Sequence, residues 1–285
     1  MNDQVNQLLT LALAEDLGER GDVTANYFVP EDKQAKALVK VKDVGVICGL
    51  SIAEAVCAQV DSSIKVSYLK QDGDSVSHGD YVMEWEGPAR SILSAERTAL
   101  NFLQRLSGIA TKTQTYVAKV AHTSCQVLDT RKTTPGWRAL EKMAVKTGGG
   151  QNHRMGLYDR AMVKDNHLVA ENSLEYLQQA ILTLQAEHPS VEVELEADTI
   201  EQVKGFLTLT GVHYILLDNM SNAQLMSAIS LRDAANSEVK LEASGGVTLG
   251  TIQEIAETGV DYVSVGALTH SAVALDISLE FIPTA

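Results

Sequence analysis

The residues best placed to do chemistry are polar side chains that end a series of short apolar runs. From Cys125 onward these runs end, in chain order, at Asp129, Lys164, Glu194, Asp218, Ser244 and Gly266. The intervals of 35, 30, 24, 26 and 22 residues fit repeated units of one strand, one helix and their loops in a (β/α) barrel. Active sites of such barrels lie at the carboxyl ends of the strands, so we expect these side chains to meet around one site.

A basic segment, residues 131–167, indicates the charge of the ligand. It contains Arg131, Lys132, Arg138, Lys142, Lys146, Arg154, Arg160 and Lys164 but only three acids, in a chain of net charge −14. Arginine binds carboxylates in a planar, bidentate way, and at physiological ionic strength a charge acts over about 8 Å. The pattern predicts a local pocket for a small polyanion, although we interpret Lys142 and Lys146 as part of a solvated helix face.

The acids and glycines suggest what this anion carries. Alternation along residues 191–196 directs Glu192, Glu194 and Glu196 to one face of a strand. Buried acids need partners, which Mg²⁺ or sugar hydroxyls would supply. The small residues of 243–247 and 265–271 precede helix starts, where backbone N–H groups cradle phosphate.

Two side chains in this set leave alternatives open. Lys164 either binds phosphate as a point charge or forms a Schiff base, and His153 is either a ligand or a packing residue. The residues alone therefore favour a barrel enzyme for an anion with carboxylates and phosphates. A Schiff-base aldolase is the weaker alternative.

The elements that must position these residues differ between the two parts of the chain. The first ~110 residues predict a helix near 5–18 and strands within 35–49, 63–70 and 80–87. A long helix over 91–120 follows, with a break or bend expected near Gly108. Six strand–helix units then predict a parallel sheet. An open doubly wound sheet competes with the barrel but is weakened by the absence of GxGxxG and GxxxxGK[ST] motifs.

Composition excludes several classes of protein. With 285 residues, 45% hydrophobic and 21% charged, the chain has ample apolar material for a core. Its acidity argues against non-specific nucleic-acid binding, and Gly49 and Glu54 interrupt the longest apolar stretch, which argues against a membrane span. Three cysteines without a CxxC pair predict free thiols in a reducing compartment. With no signal-peptide pattern at the N-terminus, we expect a cytoplasmic protein.

Several blocks of sequence together resemble one enzyme family. The blocks are EDLGERGDVT (15–24), ERTALNFLQRLSGIAT (96–111), DTRKTTPG (129–136), GGGQNHRMGLYD (148–159), KDNH (164–167), LLDNM (216–220), LEASGG (241–246) and TGVDYVSVGALTHS (258–271). In order and over nearly the whole chain they resemble quinolinate phosphoribosyltransferase. The resemblance implies that quinolinate and phosphoribosyl pyrophosphate (PRPP) give nicotinate mononucleotide, pyrophosphate and CO₂, with Mg²⁺.

The resemblance also implies the fold and the assembly. It predicts an N-terminal α/β sandwich over 1–110, joined by 272–285, and an incomplete TIM-like α/β barrel over 111–271. It further implies a homodimer with shared active sites, and assembly beyond the dimer stays open. Two rivals stay open: a homologue from molybdenum-transport operons with another substrate, and a phosphometabolite-binding regulator without turnover.

The family's functional residues match positions of this chain. Lys132, Lys164, Glu194 and Asp218 match catalytic residues, and Glu194 and Asp218 match those that face the ribose and Mg²⁺. Arg105 matches an arginine lent by the neighbouring subunit, and Thr130, Arg131, His153 and Arg154 match residues that bind substrate, the last three holding the dicarboxylate. The phosphate loops correspond to Ser244, Gly245, Gly246, Gly266, Ala267, Leu268 and His270.

Overall fold

The computed structural model describes residues 3–167 and 173–282. The chain divides into two compact units. Unit 1 comprises Met1–Gln114, Thr133–Gly149 and Leu268–Ala285, and unit 2 comprises Thr115–Lys132 and Gly150–Ala267. The domain boundaries expected near residues 110 and 271 stay a prediction, and residues 1–2 and 283–285 of the expected N-terminal domain lie outside the described residues. The sequence did not indicate that Thr133–Gly149 groups with the first unit.

Unit 1 is built on an antiparallel sheet in the order β12-β1-β5-β3. Its strands are β1 (Gln34–Val41), β3 (Lys65–Tyr68), β5 (Tyr81–Pro88) and β12 (Ile277–Ile282), and β2 (Gly45–Val46) pairs with β4 (Ser75–Val76). Its helices are α1 (Asp3–Leu17), α2 (Val23–Phe28), α3 (Leu50–Val60) and α5 (Arg138–Thr147). One face of β1 is buried through Ala37, Val39 and Val41. This alternation of buried residues matches the period of two from which the strand was predicted. Helix α3 was not predicted.

The helix α4 runs without interruption from Ala89 to Val120, so the break expected near Gly108 is wrong. A Cβ at Gly108 would collide with the backbone carbonyl oxygen of Val273. Glycine costs about 1 kcal/mol inside a helix relative to alanine. Here its lack of a side chain lets the segment after residue 270 pass close to the helix. The glycine therefore marks a close backbone approach rather than a helix end.

Unit 2 contains the six predicted strand–helix units. The strands are β6 (Gln126–Leu128), β7 (Arg160–Val163), β8 (Glu192–Ala197), β9 (Tyr214–Asp218), β10 (Lys240–Ser244) and β11 (Tyr262–Ser264). They form a parallel sheet in the order β6-β11-β10-β9-β8-β7. Within the described ranges the two edge strands, β6 and β7, do not pair with each other. The sheet is therefore an incomplete TIM-like barrel, as predicted.

Helices follow the strands of this sheet at the expected intervals. They are α6 (Leu174–Glu187), α7 (Ile200–Phe206), α8 (Asn222–Ala234), α9 (Ile252–Glu257) and the short α10 (Ala267–His270). Thr199 and Ser221 close capping boxes at the starts of α7 and α8, which satisfies backbone N–H groups there. Among residues 3–167 and 173–282, no helix is both long and apolar enough to cross a membrane.

Candidate functional site

A cavity of about 640 Å³ opens within unit 2. It is lined by Thr130, Arg131, Lys132, His153, Arg154, Met162, Lys164, Glu196, Leu216, Asp218, Asn219, Glu242, Ser244, Gly245, Gly246 and Ser264. Asp218, Ser244 and Ser264 are the last residues of β9, β10 and β11. The cavity therefore lies at the carboxyl ends of the strands, where the spacing predicted a site.

The cavity gathers most, but not all, of the predicted site residues. Of the described residues, Arg105, Glu194, Gly266, Ala267, Leu268 and His270 were predicted and do not line it. Glu196, which the sequence analysis grouped with Glu194 but did not name as a site residue, and Glu242, which it did not single out, do line it. The period of two could have found both, because Glu196 shares a strand face with Glu194, and Glu242 shares one with Ser244.

The acids of β8 have partners supplied by the protein itself. Glu192 pairs with Arg160, with 3.0 Å between Oε2 and Nη2, and Glu194 pairs with His153, with 3.2 Å between Oε2 and Nε2. Glu196 pairs with Lys164. The protein itself therefore supplies cations for all three acids, from β7 and the loops beside it, and binding of Mg²⁺ or sugar hydroxyls by these acids stays a prediction.

Glu194 is enclosed with His153 and Glu242 rather than presented to the cavity. His153 Nε2 lies 3.2 Å from Glu194 Oε2 and 3.4 Å from Glu242 Oε2, and both carboxylates are fully buried. Arg160 Nη1 lies 3.5 Å from Glu194 Oε2. Ligand atoms of the three residues lie within 4.8 Å of one another. The set of one imidazole and two carboxylates suits a transition metal better than Mg²⁺, which prefers oxygen donors.

The charges inside this cluster are set by burial and by neighbours. Burial lowers the pKa of His153, but the two carboxylates outweigh it and raise the pKa to about 9. Burial raises the pKa of Glu194, but His153 and Arg160 hold it below its usual range. Burial and the charge of Glu194 raise the pKa of Glu242. The pKa values of the two carboxylates are therefore shifted in opposite directions, and Glu194 favours its ionised form more than Glu242 does.

Another part of the cavity lining is cationic. The residues Arg131 and Lys132 follow β6 and are exposed, and Arg154 lies after the loop that leaves α5. Arg154 Nη1 donates to the carbonyl of Arg160 at 3.0 Å. Burial and the positive charge of Arg131 lower the pKa of Arg154. Because like charges here oppose one another, an anion bound between them would be strongly favoured.

The buried residue Asp129 holds the backbone next to Arg154 in place. Its side chain is fully buried, and its Oδ1 accepts a hydrogen bond from the backbone N–H of His153 at 2.8 Å. The carboxylate at the end of β6 therefore holds the backbone that carries His153 and Arg154. Its role in the structure is positioning, whereas Lys164, Asp218 and Ser244 at other strand ends line the cavity.

The turn after β10 fits a phosphate cradle. Gly245 has a φ of 91° and Gly246 a φ of 60°, values that favour glycine. A Cβ at Gly245 would also collide with the side-chain amide of Asn219. The lack of side chains therefore leaves the backbone open to close approach at this point, and phosphate binding by Gly245 and Gly246 stays a prediction.

The second predicted phosphate segment divides between the two units. Gly266 and Ala267 belong to unit 2, while Leu268 and His270 belong to unit 1. The side chain of Leu268 is fully buried, and His270 is exposed with Nδ1 2.6 Å from Ser271 Oγ. Phosphate binding by these residues stays a prediction.

The predicted substrate arginine Arg105 lies in unit 1 and has internal partners. It pairs with Glu141, with 3.0 Å between Nη2 and Oε1, and donates to the backbone carbonyls of Thr269 and Ala272. Lys142, next to Glu141, is only 1% exposed. Our interpretation of Lys142 as solvated is wrong, because its side chain is buried, whereas Lys146, one turn further along α5, is exposed.

Together the fold and the cavity define an α/β-barrel protein with a site for a small, multiply charged anion. Comparison with known proteins gives the family. Residues 22–107 match the family "Quinolinate phosphoribosyl transferase, N-terminal domain", and residues 109–280 match "Quinolinate phosphoribosyl transferase, C-terminal domain". The chain belongs to the quinolinate phosphoribosyltransferase family.

Individual relatives span nearly the whole chain. A protein of Oryza sativa subsp. japonica, named nicotinate-nucleotide pyrophosphorylase (carboxylating), chloroplastic, is 44% identical over 96% of this chain and 76% of its own length. A protein of Nicotiana tabacum, quinolinate phosphoribosyltransferase (decarboxylating) 2b, mitochondrial, is 43% identical over 97% of this chain and 82% of its own. The solved structure of nicotinate-nucleotide pyrophosphorylase from Francisella tularensis superposes with a TM-score of 0.90 at 36% identity, over 99% of this chain and 97% of that one.

Proposed function

We propose that this chain transfers the phosphoribosyl group of PRPP to quinolinate and releases CO₂, giving nicotinate mononucleotide and pyrophosphate. The observation that carries the proposal is the make-up of the cavity, where Arg131, Arg154 and Lys164 stand with Asp218 and Glu196. Quinolinate brings two carboxylates, and PRPP brings phosphates and ribose hydroxyls. Cations suit the carboxylates and the phosphates, and carboxylates suit the ribose hydroxyls.

In the transfer step the pyridine nitrogen of quinolinate attacks C1 of the ribose as the bond from C1 to pyrophosphate breaks. Arg131, His153 and Arg154 orient the two carboxylates, and Lys132 and Lys164 neutralise anionic groups. Positioning of two anions in one cavity supplies much of the rate, and carboxylate charge favours the oxocarbenium-like ribose. In this scheme Asp218 acts from the cavity wall and Glu194 from behind His153.

Loss of CO₂ follows without a protein nucleophile. The bond between C2 of the ring and its carboxylate breaks, and the positively charged pyridinium accepts the electron pair. A proton then replaces CO₂ at C2. The cationic wall around Arg131 and Arg154 binds the carboxylates but does not enter a covalent step, so the chain's part is binding and orientation.

We also propose that the reaction uses Mg²⁺. The donor set fits, because Asp218 and Glu196 line the cavity beside Ser244, and Mg²⁺ is typically bound through one or two carboxylates plus substrate phosphates. When bound, Mg²⁺ would neutralise charge on the departing pyrophosphate. Asp218 would hold it; Glu194, the other predicted ligand, is enclosed beside His153 in this structure.

The proposal extends to assembly and compartment. The family resemblance supports a homodimer in which Arg105 reaches the partner's substrate. Cys48, Cys57 and Cys125 are free and buried, which supports a reducing compartment such as the cytoplasm.

The proposed function is tested by the choice of acceptor. Quinolinate, nicotinate and nicotinamide are each incubated with the protein, PRPP and Mg²⁺, and the nucleotide products are separated. Nicotinate mononucleotide from quinolinate alone supports the proposal. Turnover of nicotinate or nicotinamide, or of none of the three, contradicts it.

A further inference from the structure

The guanidinium of Arg105 is held in one orientation by three acceptors. Nη2 donates to Glu141 Oε1 at 3.0 Å and to the Thr269 carbonyl at 2.6 Å, and Nη1 donates to the Ala272 carbonyl at 3.0 Å. The side chain is 27% exposed, so part of the group still faces outward. Of the three acceptors only Glu141 carries a charge that compensates the guanidinium.

The carboxylate of Glu141 joins this arginine to the loop that carries the cationic motif. Glu141 is completely buried. Its Oε1 also accepts from Thr134 Oγ1 at 2.9 Å, and its Oε2 accepts from the Thr134 backbone N–H at 3.1 Å. Thr134 follows Lys132 by two residues in the chain. One buried acid therefore fixes the direction of Arg105 and the path of the loop at Thr134.

Other contacts already hold these two helices together. Phe102 of α4 stacks on Trp137, just before α5, with ring centroids 4.6 Å apart. Gly148, just after α5, lies so close to the Ala110 carbonyl that a Cβ there would collide with it. The packing of α4 on α5 thus does not depend on a charge at position 141, whereas the orientation of Arg105 does, because carbonyls alone compensate less of its charge.

We propose that Glu141 is a positioning residue for quinolinate binding: it orients Arg105 and fixes Thr134 so that the guanidinium is preorganised for a substrate carboxylate. The inference rests on the proposed function, in which Arg105 contacts quinolinate. Glu141 itself, being completely buried, acts only through these partners. Preorganisation lowers the entropic cost of binding a carboxylate, so its loss weakens binding of that substrate selectively.

Glu141→Gln keeps the shape of the side chain and removes its charge. The expected result is a KM for quinolinate raised about tenfold, with the KM for PRPP changed less than about twofold, as for loss of ground-state binding of one substrate. Glu141→Asp, which restores the charge, should recover part of the quinolinate affinity. In an Arg105→Ala background, Glu141→Gln should add less than about twofold, because both changes remove one coupled contact.

A matched control separates positioning from general stability. Glu280→Gln breaks another 3.0 Å ion pair of unit 1, that with Lys40, and should leave both KM values unchanged. If Glu141→Gln lowers Tm so far that the protein does not fold, Thr134→Val tests the same contact and should raise the KM for quinolinate in the same direction.

The wild type is assayed first, so failure of the proposed function appears as absence of turnover before any variant is compared. With turnover established, the positioning role is overturned if Glu141→Gln raises both KM values equally. It is also overturned if the effects of Glu141→Gln and Arg105→Ala simply add.

Discussion

His153 Nε2 lies 3.2 Å from Glu194 Oε2, and both side chains are buried beneath the cavity of unit 2. An acid that the sequence would assign to a metal or a ribose is thus neutralised by an imidazole of the same chain. The contact fixes the ring of His153 at the cavity wall. Because Glu242 Oε2 lies 3.4 Å from the same Nε2 atom, three buried ionisable groups lie close together, and their protonation is linked to folding.

The pH dependence of stability tests this linkage at Glu242. Burial and the charge of Glu194 raise its pKa above the ordinary value of 4.5, so the folded state binds the proton more tightly than the unfolded state. The contribution of Glu242 to the free energy of unfolding is therefore present below that ordinary pKa, and it is lost as pH rises through the pKa of the folded state. Relative to wild type, the free energy of unfolding of Glu242→Gln should therefore increase with pH above 4.5, measured by urea denaturation between pH 4 and 8.

The control for this measurement has the opposite sign. Hydrogen bonds from Gln253 and His122 lower the pKa of Glu257, so its contribution to stability is present above the ordinary pKa and lost on acidification. Relative to wild type, the free energy of unfolding of Glu257→Gln should therefore fall slightly as pH rises. If Glu242→Gln showed the same direction as Glu257→Gln, the raised pKa of Glu242 would be refuted.

A comparison of the KM values of the two substrates tests the role of Arg131. Arg131→Ala removes a guanidinium that lines the cavity and lies close enough to Arg154 to lower its pKa. The KM for quinolinate should rise by about tenfold or more, as for loss of a charge-assisted hydrogen bond, with a much smaller rise for PRPP. Steady-state kinetics with each substrate varied gives both values. Lys146→Ala, an exposed residue of α5, is the control, and equal effects of Arg131→Ala on both substrates would refute the assignment.

The turn after β10 gives a prediction for PRPP. Gly245→Ala places a methyl group at a φ of 91° and against Asn219, so the turn must shift. The KM for PRPP should rise more than the KM for quinolinate. Gly250→Ala, where the nearest neighbour of a Cβ is Thr248 Oγ1 at 3.8 Å, should leave both values unchanged. If Gly245→Ala kept the wild-type KM for PRPP, this turn would not be part of the phosphate site.

Shared active sites are tested by mixing two variants, each impaired at a different residue of the site. If Arg105 serves the partner's site and Lys132 its own, a heterodimer of Arg105→Ala and Lys132→Ala subunits has one intact site of two. Random exchange of subunits should then restore about one quarter of wild-type activity, since half of the dimers are mixed. Native mass spectrometry verifies exchange. Mixed dimers without activity would show that Arg105 does not act across the subunits.

The sequence predicted the order of elements in unit 2 but not which groups meet. Apolar runs and their polar ends are local patterns, and they located six strands and the cavity correctly. The burial of Lys142 and the continuous helix through Gly108 depend on segments far away in the chain, which spacing does not reveal. Glu196 and Glu242 were missed for a different reason, because the site roles came from the family resemblance. Alternation along β8 had already grouped Glu196 with Glu194, and the same period would have grouped Glu242 with Ser244 on β10.

The central claim is that one cavity performs both transfer and decarboxylation. The most direct test uses quinolinate labelled at the 2-carboxylate, with PRPP and Mg²⁺, and measures nucleotide, pyrophosphate and labelled CO₂ together. The account predicts equal amounts of the three products and no label in the nucleotide. Nucleotide that retains the label, or pyrophosphate released without labelled CO₂, would contradict it.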